Sequence, residues 1–297
     1  MTVTNKLLAA AACAWAVSLH AETVDRRLDA DARGEVEIVN VAGTVRVTGW
    51  DRNEVQVRAE LGRDVERLDF KREGDHTLIK VVLPNNARHG DCDLVVQVPR
   101  ESRLSINTVS ATQTIDDVNG GQRLQTVSGD MHTHFGDGEL QIKSVSGDVK
   151  AEVRVAKDKT VAPQIKITTV SGDVELDNAS NEVDVHSVSG DLRVVATELS
   201  RVQLATTSGD LNLTGALVRD ARVDAQSVSG DVALKLLGNL DAQFDIESFS
   251  GDIDNCFGQS AKRKREFGPG SELRFKAGEG HADVRVKTMS GDVSVCK

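Results

Sequence analysis

The chain has 297 residues, a formal net charge of −10, and 28% charged residues. This acidic balance disfavours nucleic-acid binding, because the phosphate backbone would be repelled. Aromatic residues make up only 3% of the sequence and tyrosine is absent. The composition therefore predicts a core of Val, Leu and Ile with little room for large rings.

Residues 1–21 have the pattern of an export signal. A lysine precedes an apolar core from Leu7 to Leu19, and Ala21 stands just before the expected cleavage site. This core is too short to cross a bilayer comfortably. Cys13 raises the alternative of a lipoprotein signal, but the apolar run continues beyond it and favours simple cleavage. We predict an exported protein of the periplasm or cell surface, with no membrane span elsewhere.

Five segments before residue 108 alternate apolar and polar residues as β-strands do. They are Glu35–Val39, Thr44–Val47, Glu54–Val57, Thr77–Val82 and Leu94–Val98. These strands follow no clean repeat. Terminal units of stacked repeats are usually atypical, because they protect an open sheet edge. We therefore expect residues 22–107 to form a β-rich N-terminal cap or subdomain.

The tripeptide Ser-Gly-Asp organises the rest of the chain, residues 108–297. Its eight copies begin at Ser128, Ser146, Ser171, Ser189, Ser208, Ser229, Ser250 and Ser290, and a decayed copy contains Ser110. From Ser110 onwards these serines are separated by 18, 18, 25, 18, 19, 21, 21 and 40 residues. A period near 20 that tolerates insertions indicates a stacked repeat. The widest spacing predicts a loop over 257–273.

Within each repeat, apolar residues recur at fixed distances from the serine. Relative to Ser189 they occupy positions −6, −4, −1, +3 and +5. Steps of two indicate strands with one buried face, and the step of three predicts a corner between −4 and −1. We predict an all-β fold, a parallel β-solenoid with rungs of about 20 residues. An antiparallel β-roll has the same alternation and is the alternative.

The glycine of each copy is expected to form a second bend, because glycine reaches backbone angles that other residues avoid. These turn glycines are Gly129, Gly147, Gly172, Gly190, Gly209, Gly230, Gly251 and Gly291.

The aspartates of the copies would form a column of carboxylates. They are Asp130, Asp148, Asp173, Asp191, Asp210, Asp231, Asp252 and Asp292. On stacked rungs, neighbouring carboxylates about 5 Å apart would repel each other by about 1–3 kcal/mol. Backbone N–H groups of the turn are expected to offset this repulsion, and bound calcium is the alternative. Paired carboxylates also suit a glycosidase, but their repetition argues against a catalytic site.

Two histidines and three cysteines are further candidates. His132 and His134 share one strand face and could bind zinc or copper with a third ligand, with solvent-facing histidines as the other interpretation. Cys256 and Cys296 both lie six residues after a repeat serine, so adjacent rungs would bring them together as a disulfide. Cys92 would then be a buried thiol or a route to a covalent dimer.

Lys262-Arg263-Lys264-Arg265 is the strongly basic run of this acidic sequence. It could contact anionic lipid headgroups, phosphates or acidic glycans. A solvated loop is the alternative interpretation.

The chain resembles a bacterial β-strand-repeat family of unknown function whose members carry the label putative adhesins. The opening Gly34–Ile38 and Gly49-Trp50-Asp51, the serial Thr/Ser-Val-Ser-Gly-Asp-Val units, Phe267–Gly270 and Ser290–Cys296 carry the resemblance. It implies an exported β-repeat fold and assigns no functional residues.

These features predict a non-catalytic cell-envelope protein, a structural or adhesin-like scaffold that binds an envelope glycan or protein. No catalytic residue, cofactor or firm metal site is expected. The alternatives are an accessory protein that binds an envelope or signalling partner and a polysaccharide-active β-helix enzyme. An enzyme would need a unique cluster of carboxylates and basic residues, and the sequence shows none.

Overall fold

The computed structural model describes residues 22–85, 90–136, 138–154, 164–263 and 269–297. The predicted signal, 1–21, lies outside the described residues. All regular secondary structure in these ranges is β-strand, and they contain no helix long and apolar enough to cross a membrane.

The strands fall into three groups along the chain. Those before the first complete repeat are β1 (Glu22–Asp29), β2 (Glu35–Trp50), β3 (Glu54–Leu61), β4 (Arg67–Glu73), β5 (His76–Val82), β6 (Asp91–Pro99) and β7 (Arg103–Val118). The central repeats form β8 (Gln122–Ser128), β9 (Met131–Phe135), β10 (Leu140–Ser146), β11 (Val149–Val153), β12 (Gln164–Ser171), β13 (Val174–Ser189), β14 (Leu192–Ser208), β15 (Leu211–Ser229) and β16 (Val232–Leu237). The last are β17 (Ala242–Ser250), β18 (Ile253–Asn255), β19 (Lys262–Arg263), β20 (Ser271–Ala277), β21 (Ala282–Ser290) and β22 (Val293–Cys296).

The repeats stack in parallel and in register. The strand that ends at each repeat serine pairs with the strand that ends at the next, so Ser128 lies opposite Ser146 and Ser146 opposite Ser171. The strands that follow the turns pair in the same way, with Val149 opposite Val174. The antiparallel roll is therefore wrong for the repeats, which form a parallel, solenoid-like stack.

Burial corrects the predicted position of the corner. Position −1, expected inside, points outward, while position −2 is buried, as Ser187 and Val188 show in the Ser189 repeat. Alternation thus runs unbroken from −6 to −2, and the bend lies in Ser-Gly-Asp alone. The hydroxyl at position −2 bonds to the turn backbone in some repeats, whereas those of Ser144, Ser187, Ser227 and Thr288 have no hydrogen-bond partner. Thr169 donates to the carbonyl oxygen of Ser171, two residues on, at 3.3 Å.

The N-terminal strands extend the stack and then cover it. β2 pairs in parallel with β7, β5 and β6, so it adds one more rung to the stack, with one half before and one half after the position of the turn. Antiparallel strands then lie on the outside: β4 pairs with β5, β3 with β6, and β1 with β3.

At the C-terminal end the order of the rungs departs from the order of the chain. Ser229 lies opposite Ser290, and Ser290 lies opposite Ser250, so the last repeat inserts between two earlier ones. The expected contact between the Ser250 and Ser290 rungs is present. β20 pairs antiparallel with the outer edge of β17. It begins at Ser271, which places the end of the predicted 257–273 loop in a strand.

Replacing Gly190 by alanine should destabilise the stack. Its φ is +131°, and a Cβ there would overlap the carbonyl oxygen of Gly172 on the neighbouring rung. We expect Gly190→Ala to lower the free energy of unfolding by about 2–3 kcal/mol, measured by urea denaturation. Gly238→Ala is the matched control, since Gly238 has φ +81° and open space around it. An equal loss in both variants would contradict the steric part of this explanation.

Candidate functional site

A line of exposed apolar side chains, which we call the corner column, runs along the stack beside the repeat turns. It occupies position −1 of the repeats. Its members, with their exposed fractions, are Val109 48%, Val127 48%, Val145 48%, Val170 47%, Val188 51%, Val228 45%, Phe249 58% and Met289 59%. Thr207 takes this position in the Ser208 repeat. With about 4.8 Å between neighbouring strands, the column is about 38 Å long.

The corner column is a direct consequence of the turn. Strand alternation buries −6, −4 and −2, which turns −1 to solvent. The buried position −2 is always Ser or Thr in the eight repeats, whereas the exposed position −1 is usually valine. Large exposed apolar patches on soluble proteins commonly mark binding surfaces. The sequence feature that could have indicated this exposed column is the constant hydroxyl residue at −2 next to the apolar residue at −1.

The C-terminal part of the column borders a groove of about 690 Å³. One wall is formed by position −1, including Val188, Val228, Phe249 and Met289. The other wall is position −3, and the floor is position −2 of the same strands. The −3 wall consists of Thr168, His186, Ala205, Gln226, Glu247 and Lys287. Gly270, just before β20, lies at the end of the groove.

The Asp column forms a ladder of hydrogen bonds across the rungs. The backbone N–H of Asp191 donates to Oδ1 of Asp173 at 2.8 Å, and that of Asp210 donates to Oδ1 of Asp191 at 2.8 Å. The ladder also joins Asp130, Asp148, Asp231, Asp292 and Asp252 at 2.8–3.0 Å. Each of these carboxylates except that of Asp252, on the outermost rung, therefore accepts a backbone hydrogen bond from the next rung.

The two predicted histidines are in different surroundings. His132 is exposed, whereas His134 contacts Asp116 through Nδ1 at 2.5 Å and Glu152 through Nε2 at 3.2 Å. His186 pairs instead with Asp184 at 2.6 Å. Within the described ranges, no group of three or more His, Cys, Asp or Glu residues could hold a metal ion.

Cys256 and Cys296 form a disulfide, with their Cα atoms 4.9 Å apart. This bond was predicted from their equivalent positions, and it joins the last strand of the chain to the outermost rung. Cys92 is a buried free thiol. Burial, and to a smaller extent the charge of Asp93, raises the pKa of Cys92 to about 12. The folded thiol is thus protonated at neutral pH and is a poor nucleophile.

Part of the basic run lies on the strand beyond β20. Lys262 and Arg263 are exposed on β19, which pairs antiparallel with β20. Arg263 lies opposite Ser271, and Ser271 lies opposite Ser248 on the groove floor. Lys264 and Arg265 are outside the described residues.

Several carboxylates are held in their ionised form by local partners. The pKa of Asp241 is lowered, first by the His281 side chain at 2.6 Å and then by the N–H groups of Gly280 and His281. The pKa of Glu175 is lowered mainly by the hydrogen bond from Lys150 at 2.8 Å. These pairs fix strands to each other on exposed faces and are spread over the surface. They do not gather into one reactive centre.

The family model described as Toastrack DUF4097 matches residues 153–296. The predicted resemblance to a repeat family of unknown function is confirmed over this part of the chain. No curated protein matches the sequence.

Three solved structures align over most of the chain. A putative cell adhesion protein from Clostridium sporogenes is 8% identical, covering 93% of this chain and 98% of its own, with a TM-score of 0.23. A putative adhesin from Bacteroides fragilis is 9% identical over 92% and 97%, with a TM-score of 0.30. A putative lipid binding protein from Parabacteroides distasonis is 10% identical over 93% and 97%, with a TM-score of 0.34. At these scores the likenesses carry no argument about function.

Replacing one aspartate of the Asp ladder should lower the free energy of unfolding only when the oxygen that accepts the N–H of the next rung is lost. Asp191→Ala leaves the N–H of Asp210 without its acceptor and should lower the free energy of unfolding by about 1 kcal/mol. Asp191→Asn keeps an oxygen acceptor and removes a stacked charge, so it should be neutral or stabilising. Urea denaturation with and without calcium checks both. A calcium-dependent gain in wild type that Asp191→Asn abolishes would instead make the column a calcium site.

Thiol counting tests the cysteine assignment on a chain that begins at Glu22. The folded protein should react with none of its cysteines at neutral pH, because Cys92 is buried and protonated. The unreduced, denatured protein should react at one thiol, and the reduced protein at three. Replacing Cys256 and Cys296 by serine should lower the free energy of unfolding by about 2–4 kcal/mol. Three reactive thiols in the unreduced, denatured chain would contradict the disulfide.

Proposed function

We propose that this protein is a non-catalytic, exported scaffold of the cell envelope, adhesin-like in binding through a repeated surface. The corner column carries this proposal. It presents an apolar side chain, most often valine, on each repeat rung except that of Thr207, over about 38 Å, whereas an enzyme concentrates its chemistry at one site. Weak contacts repeated along a rigid line add up to useful avidity.

The proposal includes a finer architecture and location. Residues 1–21 act as a cleaved signal, and the mature protein resides in the periplasm or on the cell surface. Residues 22–107 cap a parallel β-solenoid of 108–297 whose rungs average about 20 residues. The antiparallel strands β1, β3 and β4 support the cap, because they lie outside the parallel stack.

A second candidate is an accessory protein that binds one envelope or signalling partner. The groove favours it, because the groove adjoins only the part of the column from Val188 to Phe249 and so distinguishes that part from the rest. A single tight protein partner, without binding to envelope glycan, would favour this role over the scaffold.

Co-sedimentation of residues 22–297 with isolated envelope polysaccharide and membranes tests the scaffold. Val127→Asn/Val145→Asn should reduce the bound fraction by about tenfold, because avidity multiplies small losses at each contact. Val95→Asn is the matched control, since Val95 is 46% exposed but lies outside the column. Release of sugar products in the same tubes, or equal binding by the column variant, would contradict the proposal.

A further inference from the structure

The N-terminal end of the stack has an edge strand that no described strand covers. Two strands, β5 and β4, extend the first half of β2, whereas three, β6, β3 and β1, extend its second half. β1 therefore projects one strand beyond β4 and leaves a notch one strand wide. We infer that this notch accepts an extended strand of a partner protein, paired antiparallel with β4. The inference uses neither the corner column nor the groove.

The free edge of β4 offers unpaired backbone groups. The N–H of Glu35 donates to the carbonyl oxygen of Asp75 at 2.9 Å, so β5 directs its odd-numbered residues towards β2 and its even-numbered residues towards β4. Through the register of β4 with β5, the N–H and C=O groups of Leu68, Phe70 and Arg72 point away from β5. Among the described strands, only β5 pairs with β4. An added strand satisfies such groups, here with about six backbone hydrogen bonds.

The inner face of β1 forms the floor of the notch. Val24, Arg26 and Leu28 lie opposite buried residues of β3, so they are on the side of the core. Val24 and Leu28 are half-buried, and Arg26 is exposed. Arg72 of β4 donates to the carbonyl oxygen of Asp29 at 2.9 Å, which brings the ends of β4 and β1 together. A strand in the notch would cover the two aliphatic side chains, so its inward residues should be apolar.

The middle inward residue of the partner strand should be aromatic. Phe70 lies at the centre of β4, packs against the core and is only partly buried. Aromatic pairs across two strands stabilise a sheet, and an aromatic ring also suits the exposed guanidinium of Arg26 on the floor.

The outer face of β4 specifies the order of charges in the partner. Arg67, Asp69, Lys71 and Glu73 alternate in sign along this face. They form ion pairs along the strand, Arg67 with Asp69 at 3.0 Å and Lys71 with Glu73 at 3.3 Å. In an antiparallel pair centred on Phe70, a strand with the same order of charges places opposite charges face to face at all four positions. A shift by two residues places like charges opposite each other, so the order also specifies the register.

A single strand fits the notch, whereas a second copy of the protein does not. A two-fold pair through β4 would bring β1 and β3 of the second copy into the space that β3 and β1 already fill, because β1 projects beyond β4. The notch therefore suits an extended segment of a partner and not a folded surface.

Fluorescence anisotropy with a labelled peptide tests the inference on residues 22–297. The probe has the sequence of residues 67–73 with Arg72→Val, so its inward residues are apolar with phenylalanine at the centre, and its charges match β4 in the antiparallel register. We expect saturable binding of one peptide per chain. The amide protons of Leu68 and Phe70 should become protected from hydrogen exchange when the probe binds.

A charge exchange tests the register. The protein variant Asp69→Lys/Lys71→Asp keeps the net charge but places like charges opposite the probe at two positions, which should weaken binding about tenfold. A probe with the same exchange should restore binding to this variant and bind the wild type about tenfold less tightly. Lys150→Glu/Glu175→Lys, an exchange within an exposed ion pair outside the notch, is the matched control and should bind the first probe as wild type does. Circular dichroism and thermal melting of each variant confirm that it is folded.

Other results would overturn the inference. These are no saturable binding, unchanged binding by the exchange variant, or protection of amides elsewhere than on β4. Concentration-dependent dimers that compete with the probe would assign the edge to a second copy. Loss of probe binding in the full chain would assign the notch to the residues that precede Glu22. The envelope co-sedimentation depends on Val127 and Val145, outside the notch, so failure of the scaffold and failure of strand binding are distinguishable.

Discussion

In-register parallel stacking of the Ser-Gly-Asp turn is the constraint on which this structure depends. It places like residues on top of each other, including carboxylates that repel one another. The chain meets this with its own backbone: the N–H of Asp210 donates to the carboxylate of Asp191, and so on along the ladder. Glycine is needed at the centre of each turn, because at Gly190 a side chain would enter the space of the Gly172 carbonyl. The turn thus determines both the register between rungs and which side chains of each rung face solvent.

Much of the fold could be predicted because the period of the sequence is the period of the stack. The disulfide followed from the equivalent positions of Cys256 and Cys296. It was harder to predict which residues of the strand face the core, since a short strand could bury either valine at −1 or Ser or Thr at −2. Hydrophobicity alone assigned Val188 to the core. Unbroken strand alternation is what buries −2: its hydroxyl bonds to the turn backbone in some repeats, as in Thr169, and has no partner in others, as in Ser187.

The candidate site could not be predicted because it depends on the order of the rungs. Val228, Met289 and Phe249 become neighbours only when the Ser290 repeat inserts between the Ser229 and Ser250 repeats. A reading in chain order would place Phe249 next to Val228 and leave Met289 at the outer end. The basic run likewise gains a position only when β19 pairs with β20 beyond β17.

The inserted rung also explains how the C-terminal edge is closed. The outermost repeat strand, β17, would present an unpaired edge, which invites pairing with other chains. β20 covers that edge in the antiparallel sense, and the disulfide ties Cys296 of the inserted rung to Cys256 of the outermost one. The same cover ends the groove at Gly270. Protection of the sheet edge and the outer end of the groove therefore have a common origin in the segment of chain between Ser250 and Ser290.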